Sequence, residues 1–290
     1  MTLLSQILQY AVSGVTGGSI YAIIGICWSL VYLVTTVLNF ATGEFVMLGG
    51  MLTWALHKAG LGLLAAGAAA TLFTTLLAVF LERVVIRPVR YPTELTYMML
   101  TIAAGAVIKG LVLLKWGSDT RNFEPFFGSG VLHFGGATLT PQVLAVLGLL
   151  VVVTASLSLF LNRTLFGKAL RASAINNTGA RLMGINIGNV RLFCFGLAGA
   201  LGALTGVFIA PITFTGYEIG MLTGLKGLVA AIVGGWTMTG TVAAGLALGL
   251  LEGFFAGFFE AGLKDVFALS AMVVFLILET TPVFLRWRRS

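Results

Sequence analysis

Four charged side chains lie inside otherwise apolar stretches of the sequence: Glu44, Lys109, Lys226 and Glu252. A charge in lipid is costly, so each of them needs a partner charge or an aqueous path beside it. Glu44 and Lys226 are our candidates for lining a path through the protein, together with Asn39 and Thr42. A direct Glu44–Lys226 pair is one hypothesis. The alternative is that each charge is paired structurally or reaches along its own stem toward the membrane surface.

The sequence offers no constellation for catalysis. It contains no G-x-x-x-x-G-K-[ST] phosphate loop, no H-E-x-x-H and no G-x-S-x-G pattern. His57 and His133 are isolated, and Cys27 and Cys194 fall in apolar runs without a C-x-x-C spacing, so we expect those cysteines to be small buried hydrophobes. We therefore expect no catalytic residue, no metal site and no cofactor bound by this chain.

Composition places these residues in a membrane protein. Of the 290 residues 58% are apolar and 9% are charged, whereas a soluble domain carries about 25% charged residues. Several apolar runs reach the ~20 residues that span hydrocarbon. We expect spans near 7–38, 46–56, 61–81, 95–114, 141–161, 192–212, 219–236, 242–259 and 266–285. The first run follows no basic leader, which favours a retained span over a signal peptide.

The predicted fold is an all-α polytopic membrane protein with eight to ten transmembrane or re-entrant helices. The number depends on whether 39–57 and 219–239 cross fully. The stretch 43–50 resembles 225–235, and each follows a long glycine-rich span. This echo leaves open an arrangement of two inverted repeats, because interrupted segments at matching positions are typical of such transporters.

The loop 162–191 orients the chain. It carries five basic residues and no acidic one, and with 82–92 and 286–290 it holds 11 of the 17 basic residues. Short loops rich in Lys and Arg stay on the cytoplasmic side, so we expect this loop and the C-terminus to be cytoplasmic. The loop 115–140 then lies on the opposite side, where 131–140 reads as a β-hairpin around Gly135–Gly136.

The same loop also reads as a docking element. Its candidate N-cap residues are Asn176, Asn177 and Thr178, and Gly184 is a typical helix stop. A short helix between them would present an apolar tip of Leu182, Met183 and Ile185, framed by Arg171 and Arg181. A solvated basic loop beside anionic lipid is the alternative, and it explains the charges but leaves the apolar tip unexplained.

Glycines recur at every fourth position in one apolar run: Gly245, Gly249, Gly253 and Gly257. Small residues at this spacing form one helix face that allows close helix contact in membranes. We expect this face to pack within the chain, and contact with a second subunit is the alternative.

Three groups of residues, in order, resemble the LivH-type permeases. They are Leu38-Asn39-Phe40-Ala41-x-Gly43-Glu44-Phe45, Glu82-Arg83-x5-Arg87-Pro88, and Arg171-Ala172-x-Ala174-x-Asn176-x3-Ala180-x-Leu182-Met183-Gly184-Ile185-Asn186. Shorter matches, including Gly224-Leu225-Lys226, Gly249-Leu250-x-Glu252 and Lys264-Asp265, extend the likeness along nearly the whole chain.

The resemblance implies that residues 1–290 form one permease domain of an ABC importer for branched-chain amino acids in the bacterial inner membrane. It implies a second permease, two cytoplasmic ATPases that use ATP and Mg²⁺, and a periplasmic binding protein, for which the 115–140 loop is a candidate contact. The coupling residues would be Arg171, Asn176, Ala180, Arg181, Leu182, Met183, Gly184, Ile185 and Asn186.

Two other functions remain open. The same permease role could serve an amide, urea or an aromatic or short carboxylate, because the binding protein selects the solute. A stand-alone ion-coupled amino-acid carrier would also use intramembrane charges, but it leaves the docking element unexplained. Neither function involves nucleic acid, and an intramembrane enzyme is disfavoured because no catalytic constellation is present.

Overall fold

The described part of the protein contains ten α-helices and one β-hairpin. A computed structural model describes residues 3–89, 93–128, 130–134, 137–258, 266, 267, 269, 270 and 273. The first five helices are α1 (Leu3–Thr35), α2 (Thr42–Lys58), α3 (Leu63–Leu81), α4 (Glu94–Trp116) and α5 (Pro141–Arg163). The next five are α6 (Leu165–Ile175), α7 (Asn177–Leu182), α8 (Ile187–Thr213), α9 (Ile219–Val233) and α10 (Met238–Phe258). The strands are β1 (Leu132–Phe134) and β2 (Ala137–Leu139).

Six of the described helices are long and apolar enough to cross a membrane: α1, α3 with the π-helical turn Glu82–Ile86 that continues it, α4, α5, α8 and α10. The apolar helices α2 and α9 are shorter, with 17 and 15 residues. This architecture confirms the predicted all-α polytopic fold. The hairpin is also confirmed, since Leu132 pairs with Leu139. The predicted last span, Lys264–Asp265 and the C-terminus lie almost wholly outside the described residues.

A short turn divides the long first apolar run where the sequence predicts a break. The helix α1 ends before Thr36, which has a φ of 56°. The amide of Ala41 then donates to the Asn39 Oδ1 atom at 3.2 Å, and the Thr42 hydroxyl donates to the Asn39 carbonyl at 2.8 Å. These two bonds close the turn that starts α2, so Asn39 and Thr42 are buried for a structural reason.

The helices α1 and α8 run in opposite directions. Near the start of α1, Gln9 binds Thr138 of the hairpin. The end of α1 instead shares an apolar cluster with the start of α8, where Val34 packs with Val190 and Cys194. We call these two sides of the molecule the hairpin end and the basic end. The latter carries α6 and α7.

The described chain has two halves, α1–α3 and α8–α10, and the later helices of each half pack against the first helix of the other half. The helix α2 packs on α8 and α9 packs on α1, while α3 packs on α8 and α10 packs on α1. This order of contacts agrees with two inverted repeats, α1–α3 and α8–α10. The sequence echo finds the right pair of short helices but in a shifted register: 43–50 begins α2, whereas 225–235 lies toward the end of α9.

The glycine face of α10 packs against α1, as the sequence predicts. A Cβ atom on Gly253 would lie 2.7 Å from the Gly14 Cα atom, and one on Gly14 would lie 2.8 Å from the Gly249 carbonyl oxygen. Gly245 faces Ala22 in the same way. These distances are below ordinary van der Waals contact, so the two backbones approach as closely as they do only because side chains are missing there.

Candidate functional site

The docking element, residues 165–186, is a well-capped helical pair at the basic end. The Asn176 Oδ1 atom accepts a hydrogen bond of 2.9 Å from the Gly179 amide, which makes Asn176 the N-cap of α7. The helix ends at Leu182, and Gly184, two residues later, has a φ of +81° that favours glycine. Asn186 then caps α8 by accepting from the Asn189 amide at 3.2 Å. The predicted start and stop of the short helix are both confirmed.

An apolar tip projects from this element. Leu182 is 84% exposed and Met183 is 83% exposed. Ile185 was predicted to share the tip, and this part of the prediction is wrong. Its side chain is half-buried against the cluster that contains Leu170 and Val190, because the chain turns back toward α8 after Gly184.

The remaining predicted coupling residues have different environments. Ala180 is buried on the inner side of α7, and Arg181 is exposed. Arg171 is exposed and donates to the Asn162 side-chain oxygen at 2.8 Å. The Asn177 side chain donates to the Val34 carbonyl at 3.2 Å, which fastens α7 to the end of α1. The tip is thus presented on a base that contacts two membrane helices.

A cavity of about 570 Å³ lies toward the hairpin end, between α1, α8, α9 and α10. Gln9 and Thr138 line it at the hairpin, and Tyr21 lines it further along α1. Because Tyr21 is twelve residues beyond Gln9, the cavity reaches about 18 Å along that helix. We call this space the hairpin-end cavity.

An ion pair lines the cavity beside Tyr21. The Lys226 Nζ atom donates to the Glu252 Oε1 atom at 2.6 Å and to the Tyr21 hydroxyl at 3.2 Å. Both charged residues are buried, with relative exposures of 5% and 6%. The second oxygen of Glu252, Oε2, is buried and has no hydrogen-bond partner. Such a pair holds two charges of opposite sign next to a space large enough for a small solute.

The structure separates Lys226 from the other three candidate path residues, which lie together around the start of α2. Lys226 lines the hairpin-end cavity, but its carboxylate partner is Glu252, so the hypothetical Glu44–Lys226 pair is wrong. Glu44 lies instead in the first turn of α2, where its side chain faces Gly105 of α4 and Gly220 of α9. Position alone does not test a role in transport for Asn39, Thr42 or Glu44, and none of the three lines this cavity.

Several residues of the cavity were missed by the sequence reasoning. Tyr21 was overlooked because a single tyrosine in an apolar run resembles core packing. Gln9 binds the hairpin through its side-chain oxygen, which accepts from the Thr138 amide at 2.8 Å and the Thr138 hydroxyl at 3.0 Å. The signal available in the sequence was a glutamine nearly two turns into the first apolar helix, where an unpaired amide would be costly.

Comparison with known proteins decides the family. A family described as the permease component of a branched-chain amino acid transport system matches residues 10–278. The chain belongs to this family. It is 30% identical to the high-affinity branched-chain amino acid permease protein BraD of Pseudomonas aeruginosa over 95% of both chains. It is also 30% identical to LivH of Escherichia coli K12 over 95% of this chain and 94% of LivH.

A relative that matches a smaller part of the chain is named for a different transported solute. The autoinducer 2 import permease LsrC of Escherichia coli is 30% identical over 69% of this chain and 55% of LsrC. Membership of the branched-chain permease family, together with six membrane-span-capable helices, makes this chain a multi-pass membrane component of a transport system.

Proposed function

We propose that the chain is the membrane-spanning permease subunit of an ATP-driven ABC importer that moves branched-chain amino acids into the cytoplasm. Its family and its likeness to BraD and LivH over nearly their whole length support this role. The importer would contain a second permease, two ATPase subunits that bind ATP and Mg²⁺, and a solute-binding protein outside the membrane. ATP hydrolysis would take place in those partner subunits.

The observation that carries this proposal is the exposed tip of the docking element. Two large apolar side chains, Leu182 and Met183, are exposed at the end of a capped and anchored helix. An apolar helix end on a rigid base is suited to a groove on another protein. The surrounding basic residues favour a cytoplasmic position for this surface under the positive-inside rule, and an ATPase would meet it there.

The anchoring of the tip suggests how its movement reaches the solute. The docking element is bound to the end of α1 through Asn177 and continues directly into α8 through Asn186. Both α1 and α8 line the hairpin-end cavity. Closure of the ATPases would therefore displace two walls of the cavity together, because a helix transmits displacement along its length.

The test is co-purification of the tagged chain from its native membrane, with Met183→Asp as the variant. We expect an ATPase pair to accompany the wild type and to be lost with Met183→Asp, because a desolvated carboxylate opposes docking. Asn189→Asp is the matched control, since it adds the same charge to an exposed position in the first turn of α8. Transport by the wild-type chain alone on an ion gradient would instead support a stand-alone carrier.

A further inference from the structure

We propose that the hairpin-end cavity binds the head group of a zwitterionic amino acid, with the ammonium group at Glu252 and the carboxylate at Lys226 and Tyr21. This inference rests on the proposed function, because it places the solute of that importer at a defined site in the permease.

The charges of the site fit a solute of zero net charge. Lys226 and Glu252 neutralise one another at 2.6 Å, so a solute with a net charge would leave one charge uncompensated at membrane depth. A zwitterion brings one charge of each sign. It extends the pair to four alternating charges without changing the total charge of the site.

The polar atoms of the site are matched to the same head group. The Glu252 Oε2 atom is buried without a hydrogen-bond partner, and a desolvated carboxylate oxygen gains strongly from an N–H donor. A primary ammonium group supplies such a donor. Lys226 carries the positive charge that a solute carboxylate would approach, and the Tyr21 hydroxyl lies 3.2 Å from its Nζ atom.

The remaining walls combine hydroxyl side chains such as Ser13, Thr16 and Thr223 with a larger apolar surface, which suits an aliphatic side chain. Apolar residues from four helices line the same cavity: Val12, Ile20, Ile209, Ile212, Leu222 and Ala256. A few polar groups in a mostly apolar pocket fix the orientation of a ligand while the apolar walls accept its body. The arrangement therefore favours an amino acid with a branched aliphatic side chain over urea or a small amide.

The direct test is photolabelling of the purified permease with a diazirine analogue of L-leucine. We expect the label on cavity-lining segments of α1, α8 or α9, and we expect L-leucine to displace it. The analogues 4-methylpentanoate, 3-methylbutylamine and 4-methylpentanamide each lack one or both head-group charges. They should displace the label more weakly than L-leucine by a factor of about ten or more, because each leaves a desolvated charge unpaired.

Three variants separate binding from folding. Glu252→Gln and Lys226→Met each remove one charge and should abolish displaceable labelling. The double variant Lys226→Met with Glu252→Met removes both charges, and apolar replacement of a buried pair often preserves stability. We expect this double variant to remain folded and to lose the label. Normal displaceable labelling of the folded double variant, or equal displacement by 4-methylpentanamide, would overturn the proposal.

Uptake by the complete importer distinguishes the two levels of inference. ATP-dependent leucine uptake by the wild-type importer without labelling of the cavity would refute the site and leave the proposed function standing. Labelling of the cavity without leucine uptake would support the site and contradict the proposed function. The absence of both would contradict both.

Discussion

Arg191, at the start of α8, donates a hydrogen bond of 2.6 Å to the fully buried Glu82 at the end of α3. The two residues lie 109 positions apart in the sequence. This pair holds the start of α8, which follows the docking element, against α3. A separate hydrogen bond joins Asn177 of the docking element to the end of α1. The docking element is thereby linked to α1, α3 and α8.

We predict that Glu82→Gln destabilises the protein strongly. The substitution leaves the charge of the partly buried Arg191 uncompensated, which costs at most about 3–5 kcal/mol, the range for a fully buried pair. Thermal unfolding of the detergent-solubilised protein measures the effect as a lower Tm. Glu124→Gln, which changes an exposed acid in the loop after α4, should leave the Tm unchanged. Equal stability of the two variants would show that the pair contributes little.

Gly249→Ala should disrupt the contact between α1 and α10. The added Cβ atom would overlap the backbone of Gly18, and neither helix backbone can move away without separating the pair. The control is Gly110→Ala in α4, where the added Cβ meets nothing within 4 Å. That control should be neutral or stabilising by up to about 1 kcal/mol, because alanine is the better helix former. The comparison of the two Tm values decides the prediction.

Gln9→Ala should loosen the β-hairpin. The substitution removes the acceptor of two hydrogen bonds from Thr138, at 2.8 and 3.0 Å. We expect faster limited proteolysis within residues 115–140, because weakly held loops open more often. Gln6→Ala, at an exposed position one turn earlier, should be cleaved at the wild-type rate. Unchanged cleavage of Gln9→Ala would mean that other contacts hold the hairpin.

Asn176→Ala should fray α7 and weaken docking. Loss of an N-cap costs about 1 kcal/mol, which is large for a helix of six residues. Hydrogen exchange at the Gly179 amide should accelerate, and recovery of the ATPase pair in co-purification should fall. Asn176→Asp retains a capping oxygen and should preserve slow exchange. If both variants exchange alike, the cap is not what orders α7.

The sequence predicts those features that depend on residues close to one another in the chain. The break at Asn39, the hairpin and the limits of α7 follow from turn, strand and capping residues within a few positions of one another. The glycine repeat also predicts its own function, because a four-residue spacing defines one helix face wherever the partner lies. The prediction that Ile185 is exposed was wrong because its burial depends on the return of the chain toward α8, which no local pattern indicates.

The ion pair shows why the candidate site was harder to predict. Lys226 lies about two turns before the end of α9, whereas Glu252 lies about four turns into α10. Counting from the connection between the helices therefore places the two residues at different depths. The side chains meet because of how α9 and α10 pack around α1 and because a lysine stem is long. The cavity depends on that same packing of distant segments.

The packing of α9 and α10 against α1 has a consequence for biosynthesis. The helix α1 leaves the ribosome before the other described helices, yet 83% of its most apolar window is buried in the finished protein. Two of its main partners, α9 and α10, begin more than 200 residues later. Until α9 and α10 are synthesised, the first half must therefore lie in the membrane with the glycine-rich surface of α1 unpacked. A chain that terminates before α10 would keep the five earlier hydrophobic spans but lack a main neighbour that makes α1 an interior helix.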